Sequence, residues 1–372
     1  MSTINRFVKF EKRPTGAPTS EIFSVQNKEL PAIKAGQYLM RNAYLSMDPA
    51  LVGRMRDEDN YAEKVNPGEV MHAYGVSQVI ESKHPDVKVG EVRLGRVDMQ
   101  QFTISNDNDA FKKVNLGLAK ATHFLGAVGI TGATAYFAMR DIGQPKPGET
   151  VLISAGGSSV GTVAAQIAKL NNCRTVAIVS TDEKAIQVKQ DWEYDAAISY
   201  RGKSIEQLSQ DIKQACPKGV DVYFDNTSGD ISEAVMDNYS LGARVAVVGR
   251  LAISNLTDTR LDKGRRDNNI MLTRRVKRQG FVILDYQKKL RGSLIQLALW
   301  VKQGKIKSKE DIKIGIDSAP DAFFRMLEGK NNGKQLVKLA DIDDKLIPDP
   351  NWVGRMLISK WFPSNFLIRK LS

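Results

Sequence analysis

Val151-Leu152-Ile153-Ser154-Ala155-Gly156-Gly157-Ser158-Ser159-Val160-Gly161 reads as a buried strand that runs into a glycine turn and then into a helix. Apolar residues at Val160, Val163, Ala164 and Ile167 keep the helical period, and Asn171 and Asn172 supply a stop. Small residues in such a turn let backbone N–H groups approach a pyrophosphate at the helix N-terminus, where the macrodipole favours negative charge. Against the G-x-G-x-x-G pattern, Gly156 takes the first glycine position and Gly161 the third, while Ser158 stands at the middle one. The turn predicts dinucleotide binding through Ala155, Gly156, Gly157, Ser158, Ser159, Val160 and Gly161.

Working outward, apolar strands alternate with helical patterns from residue 126 onward. The expected strands are Thr150 to Ser154, Arg174 to Ser180, Ala196 to Ser199, Val220 to Asp225, Ala243 to Gly249 and Lys277 to Leu284. A helix at Leu290 to Lys302 closes the series. Such alternation builds a parallel sheet, and six strands complete a Rossmann sheet. Residues 1–125 have another texture: short β-type runs such as Gln37 to Leu45 and Tyr74 to Ile80, with a polar loop at Asp57 to Asn66 before Pro67. A strand at Ile312 to Ile316, a short helix at Pro320 to Leu327 started by Ser318, and a strand at Gln335 to Leu339 are expected to return to this first domain. The expected fold class is α/β, a Rossmann doubly wound parallel sheet plus a mostly β substrate domain. The expected boundaries are 1–125, 126–309, 310–345 for the return, and 346–372 for a C-terminal extension.

The second strand ends at Val179-Ser180-Thr181 with no carboxylate at its tip, where an NAD enzyme places an acid on the ribose 2′-hydroxyl. Asp182 and Glu183 come late. Lys184 follows them and Tyr200-Arg201 ends the third strand, so hydroxyl and cationic groups can meet a 2′-phosphate. NADP(H) is therefore expected over NAD(H).

Of the 372 residues, 42% are hydrophobic and 26% charged, an ordinary globular composition. The formal charge of +12 would suit polyanions of several kinds. No zinc knuckle or RNA-recognition motif accompanies it, and dedicated nucleic-acid binding is not expected. Cys173 and Cys216 are too few for a disulfide framework. Arg6, Lys9, Lys12 and Arg13 interrupt any secretory apolar run, and no stretch has the length of a membrane span. A cytoplasmic protein without a transmembrane segment is expected, with the nucleus also open.

Several further stretches carry a resemblance. Gly129-Ile130-Thr131-Gly132-Ala133-Thr134-Ala135-Tyr136-Phe137, Thr181-Asp182-Glu183-Lys184, Asp225-Asn226-Thr227-Ser228-Gly229 and Asn331-Asn332-Gly333-Lys334 appear in this order. Together they resemble the leukotriene 12-hydroxydehydrogenase/prostaglandin reductase branch of the zinc-free medium-chain dehydrogenases/reductases, over residues 20–340. The resemblance implies a GroES-like substrate domain, a homodimer, and an enone or alkenal as small-molecule substrate. It implies that Lys184 and Tyr200 hold the adenosine 2′-phosphate, that Asn226 and Asn331 reach the cofactor, and that Tyr286 stands near the substrate carbonyl as the catalytic residue. Physically, hydride delivered to the β-carbon of an enone leaves negative charge on the carbonyl oxygen, which a positioned O–H donor stabilises without a metal. Zinc relatives need Cys and His ligands together with a four-cysteine loop. Two cysteines with His72, His84 and His123 cannot supply that set, so no metal is expected.

Ser46-Met47-Asp48-Pro49-Ala50-Leu51-Val52-Gly53-Arg54-Met55 resembles the family's S-V-D-P-Y-M-R-G-R-M, but Ala50 and Val52 replace the aromatic and the cation. Ser254 precedes Asn255 where the family has a tyrosine. A roomier, more apolar substrate pocket is expected. Arg260, Lys263, Arg265, Arg266, Arg274, Arg275, Lys277 and Arg278 form a basic cluster, read as a solvated loop or as a steering field for an anionic cofactor. Trp352 to Leu371 mixes aromatic and basic residues and is expected to pack on the protein or a partner subunit. The expected function is NADPH-dependent reduction of the double bond of α,β-unsaturated aldehydes or ketones. Quinone reduction, or an NADPH-binding interaction or sensor protein with weak catalysis, are the alternatives.

Overall fold

Thr150–Ser154 (β1) is buried along its whole length, as a parallel strand covered by helices on both faces must be. In the computed structural model, which describes residues 3–347 apart from 58–62, 108–109, 255 and 257–258, five more strands join it. They are Arg174–Val179 (β2), Ala196–Ser199 (β3), Val220–Asp225 (β4), Tyr239–Val247 (β5) and Lys277–Gly280 (β6). All pair in parallel in the order β3-β2-β1-β4-β5-β6. This is the doubly wound order, and its topological switch point lies between β1 and β4, where such sheets bind ligands beyond the carboxyl ends of the strands.

Alternation along the strands divides the core. Val151, Ile153, Val222 and Phe224 face one side, with Phe137, Val163, Ala164 and Ile167 packed on them. Leu152, Tyr223 and Val245 face the other, with Leu208, Ile212 and Val235. Each such aliphatic or aromatic side chain contributes roughly 1.5–3 kcal/mol when fully buried. The helices that position the site are Ile130–Phe137 (α1), Ser159–Leu170 (α2) and Asp182–Trp192 (α3). α1 runs directly into a π-helical turn, Ala138–Gly143.

Two expected strands of this sheet differ by several residues at one end, the others by at most one. β5 starts at Tyr239 rather than Ala243, because Tyr239 already pairs with Val220 across a register irregularity. β6 stops at Gly280 rather than Leu284. Its neighbour β5 ends at Val247, the partner of Gly280, so after the Phe281 N–H bond to the Val247 carbonyl (2.9 Å) the chain has no ladder to continue. It turns instead into a 3-10 segment, Ile283–Lys289, before the helix Leu290–Lys302.

This unit spans Gly126–Ser308; the other runs to Leu125 and resumes at Lys309. Its larger sheet has the order Glu310–Ile314, Lys334–Lys338, Tyr38–Ser46, Tyr74–Ser82, Val92–Arg96, Lys112–Lys113, with Phe102–Ser105 also on Tyr38–Ser46. A separate antiparallel pair joins Ile4–Phe10 to Phe23–Glu29. Leu45, Met47, Met55, Phe323 and Val337 share the core, so strands from both ends of the sequence complete one layer. The basic and aromatic stretch Trp352 to Leu371 lies outside the described residues.

Candidate active site

The glycine turn is built by close approach. Gly156 N–H bonds the Ile178 carbonyl on β2 at 3.0 Å, and a Cβ at Gly156 would lie 2.6 Å from that of Ala177. A Cβ at Gly161 would meet the Ala155 carbonyl oxygen at 2.7 Å. Ser158, at the middle glycine position, is the N-cap of α2: its Oγ accepts from Gly161 N–H at 3.1 Å. The serine thus trades backbone freedom for a cap. These tight, small positions at a helix N-terminus fit a dinucleotide pyrophosphate.

Tyr194, which the sequence reading passed over, sits beneath the turn. Its hydroxyl lies 2.9 Å from the Gly156 carbonyl and 3.1 Å from that of Gly161, and the residue is only 3% exposed. Burial raises its phenol far above the usual range, so it remains a donor. A lone tyrosine between helix and strand carries no sequence signal for this role.

At the tip of β2, Thr181 caps α3, accepting from Lys184 N–H at 3.3 Å. Lys184 therefore stands on the first turn of α3. Tyr200 N–H bonds the Val179 carbonyl at 3.0 Å, which brings the end of β3 beside the same tip. The Asp182 carboxylate takes the Ser199 hydroxyl. The lateness of the acid thus has a structural use, and Lys184 and Tyr200 are brought to one corner.

Across the switch point, the Asn226 amide donates to the Ser154 carbonyl at 2.7 Å and its N–H to Ser154 Oγ at 2.9 Å. Asp225, fully buried, accepts from Ser232 Oγ at 2.6 Å and from the N–H groups of Ser228 and Thr227 at 2.8 and 3.0 Å. It anchors the bend that places Asn226. Tyr286 lies on the 3-10 segment rather than at a strand end. Its ring stacks on Phe137 (centroids 4.5 Å) and Phe281 (5.1 Å). Burial first, and then the Asp141 carboxylate, raise its phenol.

Two family models match: an N-terminal domain of oxidoreductase over residues 6–114 and a zinc-binding dehydrogenase over 159–299. The NADPH-dependent curcumin reductase of Escherichia coli is 35% identical over 344 residues, 91% of this chain and 98% of that protein. The chain belongs to the medium-chain dehydrogenase/reductase family. The NADP-dependent 2-alkenal reductase of Nicotiana tabacum is 31% identical over 341 residues, covering 90% of this chain and 98% of the relative. Among solved structures, CurA from Vibrio vulnificus in complex with NADPH has a TM-score of 0.83 and 35% identity, covering 90% and 99% of the two chains.

The second model's description mentions zinc. Among the described residues no three His, Cys, Asp or Glu side chains converge as metal ligands. Both cysteines are buried, with burial raising Cys173 to about 11 and Cys216 to about 12. Burial lowers His72 to about 4 and also lowers His123.

In the other unit, Asn331 donates its amide to the Gly333 carbonyl at 2.7 Å, shaping the turn before Lys334–Lys338. Lys334 is 4% exposed and binds the Asp48 carboxylate and the Met47 carbonyl (3.2 Å), while Ser46 Oγ holds Asp48 at 2.5 Å. The N-x-G-K and S-x-D-P stretches thus meet through a lysine the sequence reading left without a role. Val52 is 2% exposed in the core, so the replaced cation position is a packing position here; Ala50 is an exposed turn residue. Ser254 Oγ bonds the Leu251 carbonyl at 2.7 Å. Within the basic cluster, Arg265 pairs with Asp237 at 3.0 Å and Arg278 with Asp267 at 3.2 Å.

Proposed function

We propose that this chain reduces the carbon–carbon double bond of α,β-unsaturated aldehydes and ketones with NADPH. The observation that carries the reading is the joining, in one unit, of a capped glycine turn, a Lys184–Tyr200 corner and an aromatic-stacked tyrosine donor. Likeness to an alkenal reductase along nearly the whole chain supports it.

Ala155 to Gly161 would hold the pyrophosphate, Lys184 and Tyr200 the 2′-phosphate, and Asn226 would reach further along the cofactor. The chemistry the cofactor supplies when bound is a hydride for the substrate carbon β to the carbonyl. Tyr286 then faces the developing oxyanion with its O–H, which its raised phenol keeps in place well into the alkaline range. Protonation of the α-carbon completes the reaction, with solvent as the donor. No step uses a metal, and the chain works as a zinc-independent cytoplasmic homodimer. No helix among the described residues is long and apolar enough to cross a membrane.

The test is incubation of the purified protein with NADPH and a panel of alkenals, enones and quinones, with products identified. Saturated carbonyl products are expected. Tight NADPH binding with turnover of none of them would leave the protein a nucleotide-binding interaction partner.

A further inference from the structure

Tyr286 lies on the 3-10 segment Ile283–Lys289, in which no residue is buried. A short segment with few buried contacts has little local stability and does not fix its own side chains. The Tyr286 ring is held instead by residues from elsewhere in the unit. It stacks on Phe137, the last residue of α1, and on Phe281, just beyond β6, with centroids 4.5 and 5.1 Å away and interplanar angles of 29° in both pairs. Phe137 is 1% exposed and Phe281 8%, and both belong to the core packed on the Val151, Ile153, Val222 and Phe224 face of the sheet. Tilted, offset stacking at such distances is the favoured arrangement of aromatic pairs.

Phe137 is fixed in turn by the π-helical turn that follows it. The Arg140 guanidinium lies over the Phe137 ring at 4.8 Å and over the Tyr136 ring at 5.4 Å, within the range of cation–π attraction. Asp141 holds that guanidinium in place: Arg140 Nε lies 2.5 Å from Oδ1 and Nη2 lies 2.9 Å from Oδ2. In a regular α-helix consecutive residues point about 100° apart and do not face each other, so this bidentate pair between neighbours belongs to the widened turn.

We propose that Phe137, buttressed by Arg140 from the π turn, is a positioning residue for the reduction: with Phe281 it sets the plane of the Tyr286 ring, so that the phenol O–H keeps only rotation about its C–O bond. This rests on the reading of Tyr286 as the oxyanion donor given above. A donor that is already oriented needs no reorganisation when charge develops on the substrate oxygen, and its catalytic value lies there. A misplacement of about 1 Å, caused by a change away from the chemistry, can cost about a hundredfold in rate. At 1% exposure Phe137 has almost no surface with which to meet a substrate, so its effect passes through Tyr286.

The experiment is a double-mutant cycle. Phe137→Leu, Tyr286→Phe and the double variant are compared with the unsubstituted protein, using NADPH and the alkenal or enone turned over fastest in the panel above. Phe137→Leu is expected to lower kcat about tenfold while Kd for NADPH, measured without substrate, stays unchanged. In the Tyr286→Phe background the same substitution should change kcat less than about twofold, because residues that act as a unit are not additive. In protein labelled with fluorotyrosine, the fluorine resonance that Tyr286→Phe deletes should shift in Phe137→Leu, as the Phe137 ring current is lost. Arg140→Gln, which leaves the core filled, should lower kcat about threefold, and again only where Tyr286 is present. Equal fold losses in the two backgrounds would show that Phe137 serves the fold alone and would overturn the proposal, as would an unaltered kcat in Phe137→Leu or in Arg140→Gln. Unchanged turnover in Tyr286→Phe would instead overturn the reading it rests on.

Discussion

The glycine turn and the Tyr286 corner lie in one unit but are specified differently. The turn is written in consecutive residues: β1, Ser158 and Gly161 are fixed by local backbone needs, Gly156 by its close approach to Ala177 on β2, and every bond Ser158 makes there is within its own loop and helix. The Tyr286 corner is assembled from α1, the π turn and the 3-10 segment, and its specificity comes from side chains distant in sequence. Backbone recognition of phosphate tolerates variation in side chains but not in space; side-chain catalysis has the reverse sensitivity.

Substitutions should separate the two regions. Tyr286→Phe is expected to have the largest effect, lowering kcat about a hundredfold, in the range found for removal of one oxyanion donor. Kd for NADPH, followed by fluorescence titration, should not change. Gly156→Val is expected to do the opposite, weakening NADPH about tenfold or more. Its side chain must displace Ala177 or the turn itself, at an overpacking cost of about 1–3 kcal/mol. An unaltered Kd there would remove the turn from the cofactor site.

Lys184→Ala should lower affinity for NADPH about tenfold while leaving that for NADH unchanged, because a charge-assisted contact contributes about 1.5–3 kcal/mol. Equal loss for both cofactors would contradict the assignment of a 2′-phosphate contact. The smallest expected effect is that of Tyr194→Phe, which deletes one buried hydroxyl under the turn. A loss of about 1 kcal/mol in unfolding free energy, with a few-fold rise in Kd for NADPH, is expected. A lower kcat with unchanged Kd would place Tyr194 with the catalytic corner instead.

The same contrast explains what could be read in advance. β1, β3, β4 and the helix Leu290–Lys302 have the expected bounds because apolar period and turn residues are local signals. The stop of β6 at Gly280 was not legible, since it depends on where β5 ends. Ser158 was visible as a departure from pattern, but its value as a cap needed the helix start in three dimensions. Tyr194 reaches the turn from 38 and 33 positions away, and Lys334 reaches Asp48 from 286. Asp141 carries no motif of its own; only the fold shows it as the bidentate partner of Arg140 on the π turn. Val52, read as a lost pocket group, is buried in the core on the short helix Leu51–Met55, because burial is set by the packing of the whole unit.

The central claim is hydride addition to the carbon–carbon double bond. It is tested most directly with an alkenal and NADPH carrying deuterium at its hydride position, the product being analysed by NMR. A saturated aldehyde with deuterium on the β-carbon is the result predicted. An allylic alcohol with deuterium on the former carbonyl carbon, or no deuterated product, would contradict it.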